Sequence, residues 1–293
     1  MKHGYWCLAI LLLCAALPVL GCSSLPKGQP EARTQRRAAA AQLEAADKET
    51  DRGNYAGALA LAGEARRFAV SADDPALIIR STLSRGNSLS FLGRADEAQA
   101  AFDSALAEAE RIRDTGLAAL CRVYIARRLL LAGGGNVEEI RDQVKREIAL
   151  IKTDQNALAL GWTVIGLAEK ELGNWADAER GIKTALDIHV KGGYLALAAY
   201  DWYLAASIRS VSGRYQSALD ALEEALSYDR RAENTYGLGM DWKAMGDVYK
   251  REGKDGAADI AYRRAAEIFR SINREREAVE TEEKAGEQLT DSR

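Results

Sequence analysis

Cysteine and histidine are the side chains that most often serve as nucleophile, base or metal ligand near neutral pH. This sequence of 293 residues has four cysteines and two histidines. His3 sits in an N-terminal apolar segment, so a chain that loses that segment keeps only His189. One histidine builds neither a His-based metal cluster nor a Ser-His-Asp relay. His189 falls near the end of a helical stretch and reads as a surface or rim residue. Asp73-Asp74 and Glu223-Glu224 are adjacent in sequence, and adjacent residues do not share a helix face, so both pairs read as solvated rather than as an acid and its base. Gly237-Leu238-Gly239 lacks the third glycine of a dinucleotide fingerprint, and no strand precedes it. Cys121 lies in an apolar run with no histidine near it in sequence and reads as an inert core thiol. No catalytic residue, metal ligand or cofactor site is expected, and the chain does not read as an enzyme. Cys22 is the residue left with chemistry to do.

A short basic start, Lys2 and His3, leads into an apolar run from Leu8 to Leu17, followed by Pro18 and small residues. This is the layout of a secretory signal. The run is short for a bilayer span, which needs about 20 apolar residues. Val19-Leu20-Gly21-Cys22 then resembles the lipobox of bacterial lipoproteins. The resemblance implies a diacylglyceryl group on the Cys22 thiol, cleavage before that residue and acylation of the new amine. Ser23 in place of Asp implies sorting to the outer membrane, facing the periplasm. Residues 1–21 are thus expected to be a signal peptide, and 22–33, with Pro26, Gly28 and Pro30, a lipidated terminus and extended tether. Lys plus Arg number 40 against 43 Asp plus Glu. That mildly acidic balance points away from nucleic acid and from an electrostatic hold on anionic lipid.

Beyond residue 30 the sequence repeats with a period of 40. Gly53, Gly93, Gly133, Gly173, Gly213 and Gly253 form one ladder. Ala46, Gly86, Ala126, Gly166, Ala206, Gly246 and Gly286 form a second. Ala58, Ala98, Ala178, Ala218 and Ala258 form a third, and Ala65, Ala105, Ala185, Ala225 and Ala265 a fourth. Trp162, Trp202 and Trp242 form a fifth. Fixed periods of 20–50 residues are the mark of solenoids and propellers. Apolar spacing selects helices: Ala98, Phe102, Ala105 and Leu106 fall on one helical face. Pro75 is the only proline after residue 30. Each unit reads as helix A, a glycine turn, helix B and a polar link.

These ladders resemble the tetratricopeptide repeat, in its long 40-residue variety. The unit 239–278 carries the pattern best, with Trp242, Gly246, Tyr249, Gly253, Ala258, Tyr262 and Ala265. The resemblance implies an all-α, right-handed α-solenoid of about six helix pairs, spanning residues 34–278 in units near 39–78, 79–118, 119–158, 159–198, 199–238 and 239–278. Residues 279–293 are expected to cap it. The tryptophans would pack within their repeats. The unit 119–158 departs, with Gly133-Gly134-Gly135-Asn136 at its turn and helix B shifted onto Val137, Ile140, Val144 and Ile148. Both a tolerated insertion and a joint between two halves fit that departure.

The same resemblance places partner binding on the concave groove lined by helix A. Here that groove would offer Tyr200, Tyr203, Ser207, Leu167, Lys170, Lys243 and Lys250. The lysines would meet carboxylates of an envelope protein or peptide. The tyrosines would give broad apolar contact or else pack between neighbouring helices. A carboxylate clamp is not carried over, because Leu83 stands where the family's lysine would face Asn87. The expectation is a membrane-anchored scaffold for protein–protein interaction in the bacterial envelope, such as an outer-membrane or pilus/secretin assembly. The alternative is a cytoplasmic peptide-sensing regulator.

Overall fold

The computed structural model describes residues 30–286, with side chains from residue 34. The signal, Cys22 and residues 287–293 of the expected cap lie outside the described residues. Thirteen helices and no strand are present among the described residues. Helix A of successive units is α1 (Pro30–Asp51), α3 (Pro75–Phe91), α5 (Thr115–Leu131), α7 (Gln155–Glu171), α9 (Leu195–Val211) and α11 (Thr235–Glu252). Helix B is α2 (Tyr55–Ser71), α4 (Ala95–Arg111), α6 (Val137–Ile148), α8 (Trp175–Gly192), α10 (Tyr215–Ala232) and α12 (Asp255–Ser271), and α13 (Glu275–Gly286) follows. The chain is an all-α solenoid of six helix pairs and a last helix, each packed on its sequence neighbours. α1 begins at Pro30, inside the segment read as tether. Proline is well suited to the first turn of a helix, and Glu31, Ala32 and Arg33 are good helix formers.

The turns follow from the repeating residues. The six ladder glycines all take left-handed φ, between +65° and +79°, where a helix can end without a Cβ clash. The ends of helix B use the same conformation at a second spacing of 40, through Asp73, Arg113, Gly193, Glu233 and Asn273. Helix A is started by side chains. Asp74, Asp114, Asp154 and Asn234 each accept from the backbone N–H three residues on, at 2.9–3.1 Å. In the departing unit Asn136 caps the shorter α6 through the Glu139 N–H at 3.0 Å, and Ile140 and Val144 are buried as that face requires.

Within a unit, helices A and B cross at the small residues. Ala58, Ala98, Ala178, Ala218 and Ala258 are wholly buried. Opposite Gly86, Gly166 and Gly246 of the second ladder lies a bulky side chain. A Cβ at Gly86 would sit 2.5 Å from Phe102, one at Gly166 2.7 Å from Ile182, and one at Gly246 2.5 Å from Tyr262. Where the ladder holds alanine, as at Ala206, the opposing residue is the aliphatic Leu222. Volume is thus traded across the crossing, and the helices stay close.

The solenoid also turns back on itself. α1 packs against α9, four units along the chain. Just beyond, the α1–α2 turn reaches α11. An added Cβ at Gly53 would lie 2.5 Å from the Tyr236 Cβ, and Tyr55 sets its ring edge-on to Tyr236 at 5.5 Å.

A closed concave face as candidate protein-binding site

Helix A of each unit lines the inner face, so its side chains decide what that face can hold. Tyr200 and Tyr203, one turn apart on α9, stack at 6.2 Å with planes 13° apart. Both are half-buried against the core, and the Arg127 guanidinium of α5 lies 5.9 Å from the Tyr200 ring. Arg127 also lies 5.5 Å from the Phe91 ring and donates to Asn87 Oδ1 at 3.0 Å. Phe91 stacks on Tyr55 at 4.3 Å. Arg274, at the start of α13, lies 5.8 Å from Tyr55 and 5.2 Å from Tyr236. The face is therefore closed over by an aromatic and arginine cluster drawn from five helices and the cap residue of α13.

The remaining residues expected in the groove divide. Ser207 is half-buried on α9. Leu167 is only 6% exposed and belongs to the core, because the units on either side cover it, so it presents almost no surface. Lys170 is half-buried beside Glu171 at 3.7 Å, and Lys250 is exposed and paired with Asp255 at 3.3 Å. Lys243 is half-buried and makes no ion pair among the described residues. Asp247 nearby accepts from Lys284 Nζ at 2.6 Å and from the Tyr262 hydroxyl at 2.8 Å.

Enclosure shifts the acids of α1. Burial pushes the Asp47 and Asp51 carboxyls up to about 6. For Asp47 the neighbouring Asp51 adds to the rise and Arg80 opposes it, and for Asp51 His189 opposes it. Asp47 is nonetheless exposed to solvent at its surface. The Tyr124 hydroxyl is pushed up to about 12, again chiefly by burial.

His189 is not a surface residue. It is 4% exposed, and its Nδ1 lies 2.6 Å from Asp201 Oδ2 across the α8–α9 junction. The Thr163 hydroxyl donates to the other Asp201 oxygen at 3.3 Å. Forty residues on, the same two positions hold Asp229 and Asp241, 3% and 2% exposed. Burial raises both carboxyls, Asp229 to about 7 and Asp241 well above the ordinary value, the latter also through the charge of Asp229. Asn234 Nδ2 donates to Asp229 Oδ1 at 2.9 Å. Sequence reasoning missed both pairs. The signal was present as two positions twelve apart recurring at the repeat period, and they are filled by small residues in earlier units. Cys121 is buried, its thiol pushed up to about 12 by burial, as an inert core cysteine requires. Among the described residues no group of three His, Cys, Asp or Glu is placed to hold a metal, and no helix is long and apolar enough to cross a membrane.

No family model matches the sequence, and no curated protein matches it. Solved structures do. The crystal structure of Rap protein complexed with competence and sporulation factor covers 86% of this chain and 76% of its own, at 14% identity and a TM-score of 0.57. BtubC (BKLC) from P. vanneervenii covers 83% of this chain and 92% of its own, at 17% identity and 0.52. A signal transduction ATPase with a tetratricopeptide repeat sensor, PH0952 from Pyrococcus horikoshii, covers 89% of this chain and 44% of its own, at 16% and 0.50. At these identities the likeness is one of fold: this chain has the architecture of tetratricopeptide-type helical repeats.

Proposed function

We propose that this chain is a lipid-anchored scaffold of the bacterial envelope that holds a protein or peptide partner on the concave face of its solenoid. The observation that carries the anchor is Val19-Leu20-Gly21-Cys22 at the end of an apolar signal segment. Two or more acyl chains on one terminus make a stable membrane hold, which a single chain does not. An outer-membrane or pilus/secretin assembly is the setting that Ser23 and the fold suit. The scaffold is supported by the fold and by the absence from the sequence of residues spaced for catalysis. Lys170, Lys243 and Lys250 supply positive charge for carboxylates, and Tyr200 and Tyr203 supply aromatic contact.

Intact mass of the membrane-extracted protein tests the anchor. The expected species begins at Cys22 and carries two or three acyl chains, and Cys22→Ala abolishes them. A mature chain with an unmodified terminus elsewhere overturns the reading. A cytoplasmic peptide-binding regulator is the second reading, favoured by the likeness to Rap bound to competence and sporulation factor. Fractionation separates the two, since that reading places the chain in the soluble fraction with its N-terminal segment intact.

A further inference from the structure

We propose that the α1–α2 turn is a latch: seated on α11 and the start of α13, it holds the helical ring shut over the concave face, and its release opens that face to a protein segment. The first half stands on the seam alone. The second rests on the reading that the concave face takes a protein partner.

Apart from the α1–α9 contact, the helix junctions of the solenoid join neighbours along the chain or in successive units. At the seam a single turn meets the far end of the molecule through a few rings. Tyr55 lies between Phe91 of its neighbouring unit and Tyr236 of the last pair, and Arg274 covers both tyrosines. A ring opens first where the fewest contacts cross. Tyr236 is seated by its own unit as well, through Phe269 at 5.8 Å, so its side of the seam stays formed when the turn leaves. What the closed seam covers is the face that carries Arg127 and Tyr200.

Gly53 makes the contact this close. Its φ of +74° is matched by Gly93, the residue at the same place in the next unit. Around Gly93 an added Cβ would meet nothing within 4 Å, whereas at Gly53 it would strike the Tyr236 Cβ at 2.5 Å and Asn234 Oδ1 at 3.2 Å. Alanine at either position strains the backbone equally, but only at Gly53 does it also push the seam apart.

That difference is the experiment. The full purified protein, its Gly53→Ala and Gly93→Ala variants, and Arg274→Gln, which loosens the seam without adding bulk, are compared without any partner. Hydroxyl-radical footprinting reads Tyr200 and Tyr203, and amide hydrogen exchange reads residues 50–57 and 234–242 against residues 155–172 of α7. Gly53→Ala and Arg274→Gln should raise oxidation of the two tyrosines by about threefold or more, and exchange at both sides of the seam by about tenfold, with α7 unchanged. Gly93→Ala should leave tyrosine oxidation and exchange at 234–242 within about twofold of the parent. Equal responses to Gly53→Ala and Gly93→Ala, or a rise spread evenly through α7, would show that the seam is not a separable latch. If Gly53→Ala does not fold, Arg274→Gln decides alone by the same thresholds. Failure of the partner reading would leave these results untouched.

Discussion

Replacing Asp241 with asparagine should stabilise the protein at alkaline pH and leave it nearly unchanged under mild acid. Asp241 and Asp229 face each other across the α10–α11 junction, both almost wholly buried. One Asp241 oxygen finds no hydrogen-bond donor, as expected where two acids have to share a proton. Both carboxyls titrate above the ordinary value in the folded chain, so the native state keeps protons that the unfolded state has released. Stability therefore declines as pH climbs from about 4 through about 7. For Asp229, a rise from 3.8 to about 7, at about 1.4 kcal/mol per tenfold change in proton affinity, amounts to about 4 kcal/mol lost across that window. Asparagine keeps the shape of Asp241, never ionises and can donate an N–H to Asp229. It should recover about half of that loss, about 2 kcal/mol at pH 8, and shift stability by under about 1 kcal/mol at pH 5. Asp47 and Asp51, at about 6, and Asp201 change stability with the same sign, so the variant keeps part of the decline. Urea unfolding followed by circular dichroism, for parent and variant at pH 5, 6, 7 and 8, isolates the difference. A variant no more stable than the parent at pH 8, or one differing equally at pH 5 and pH 8, would refute the shared-proton argument.

His189→Ala should cost about 3 kcal/mol or more, because it leaves the Asp201 carboxylate buried beside Thr163 alone. Adding Asp201→Ala should return part of that loss, and a strictly additive double variant in urea titrations would count against the pair. Gly166→Leu should cost about 3 kcal/mol or more, since its first carbon already meets Ile182 at 2.7 Å and the Ala178 carbonyl oxygen at 3.0 Å. A thermal midpoint within one degree of the parent would mean that α7 and α8 do not cross there. Tyr200→Ala with Tyr203→Ala should weaken partner capture by about 2 kcal/mol, measured by titration against the purified partner. Full affinity in a well-folded double variant would move the binding face elsewhere.

What the sequence made legible is what each unit repeats. The glycines at intervals of 40 end helix A with left-handed φ, and the buried alanines mark the crossings, because both depend only on residues within one unit. Closure was not legible. It depends on the small rotation between one unit and the next, accumulated until α1 meets α9, and no residue of α1 or α9 announces that sum. The groove forecast suffered accordingly: Tyr200 and Tyr203 were placed on the inner face, but the arginine and the distant turn that cover it were not foreseen. His189 was misjudged because a polar residue near a helix end usually reaches water, whereas here the start of α9 lies over it. The start of α1 at Pro30 was hidden by counting a proline as extended chain when it opens a helix.

The buried pairs and the closure belong to one geometric problem. At the α2–α3 and α4–α5 junctions, the positions equivalent to 189 and 201 hold Ala69 with Ser81 and Ala109 with Cys121, all buried. Small side chains exclude water there but let one helix settle against the next over a range of angles. At the α8–α9 and α10–α11 junctions, the same positions hold His189 with Asp201 and Asp229 with Asp241, whose bonding depends on direction as well as distance. Those two junctions set the attitude of α9 and α11, the helices that receive the first unit. A solenoid that must meet its own beginning tolerates little angular error at its end, since each unit's rotation adds to the last. Ionisable pairs bring less net stability than apolar side chains of the same volume would, because both partners lose their water. Both pairs lie at the junctions leading into α9 and α11, the helices that the first unit meets.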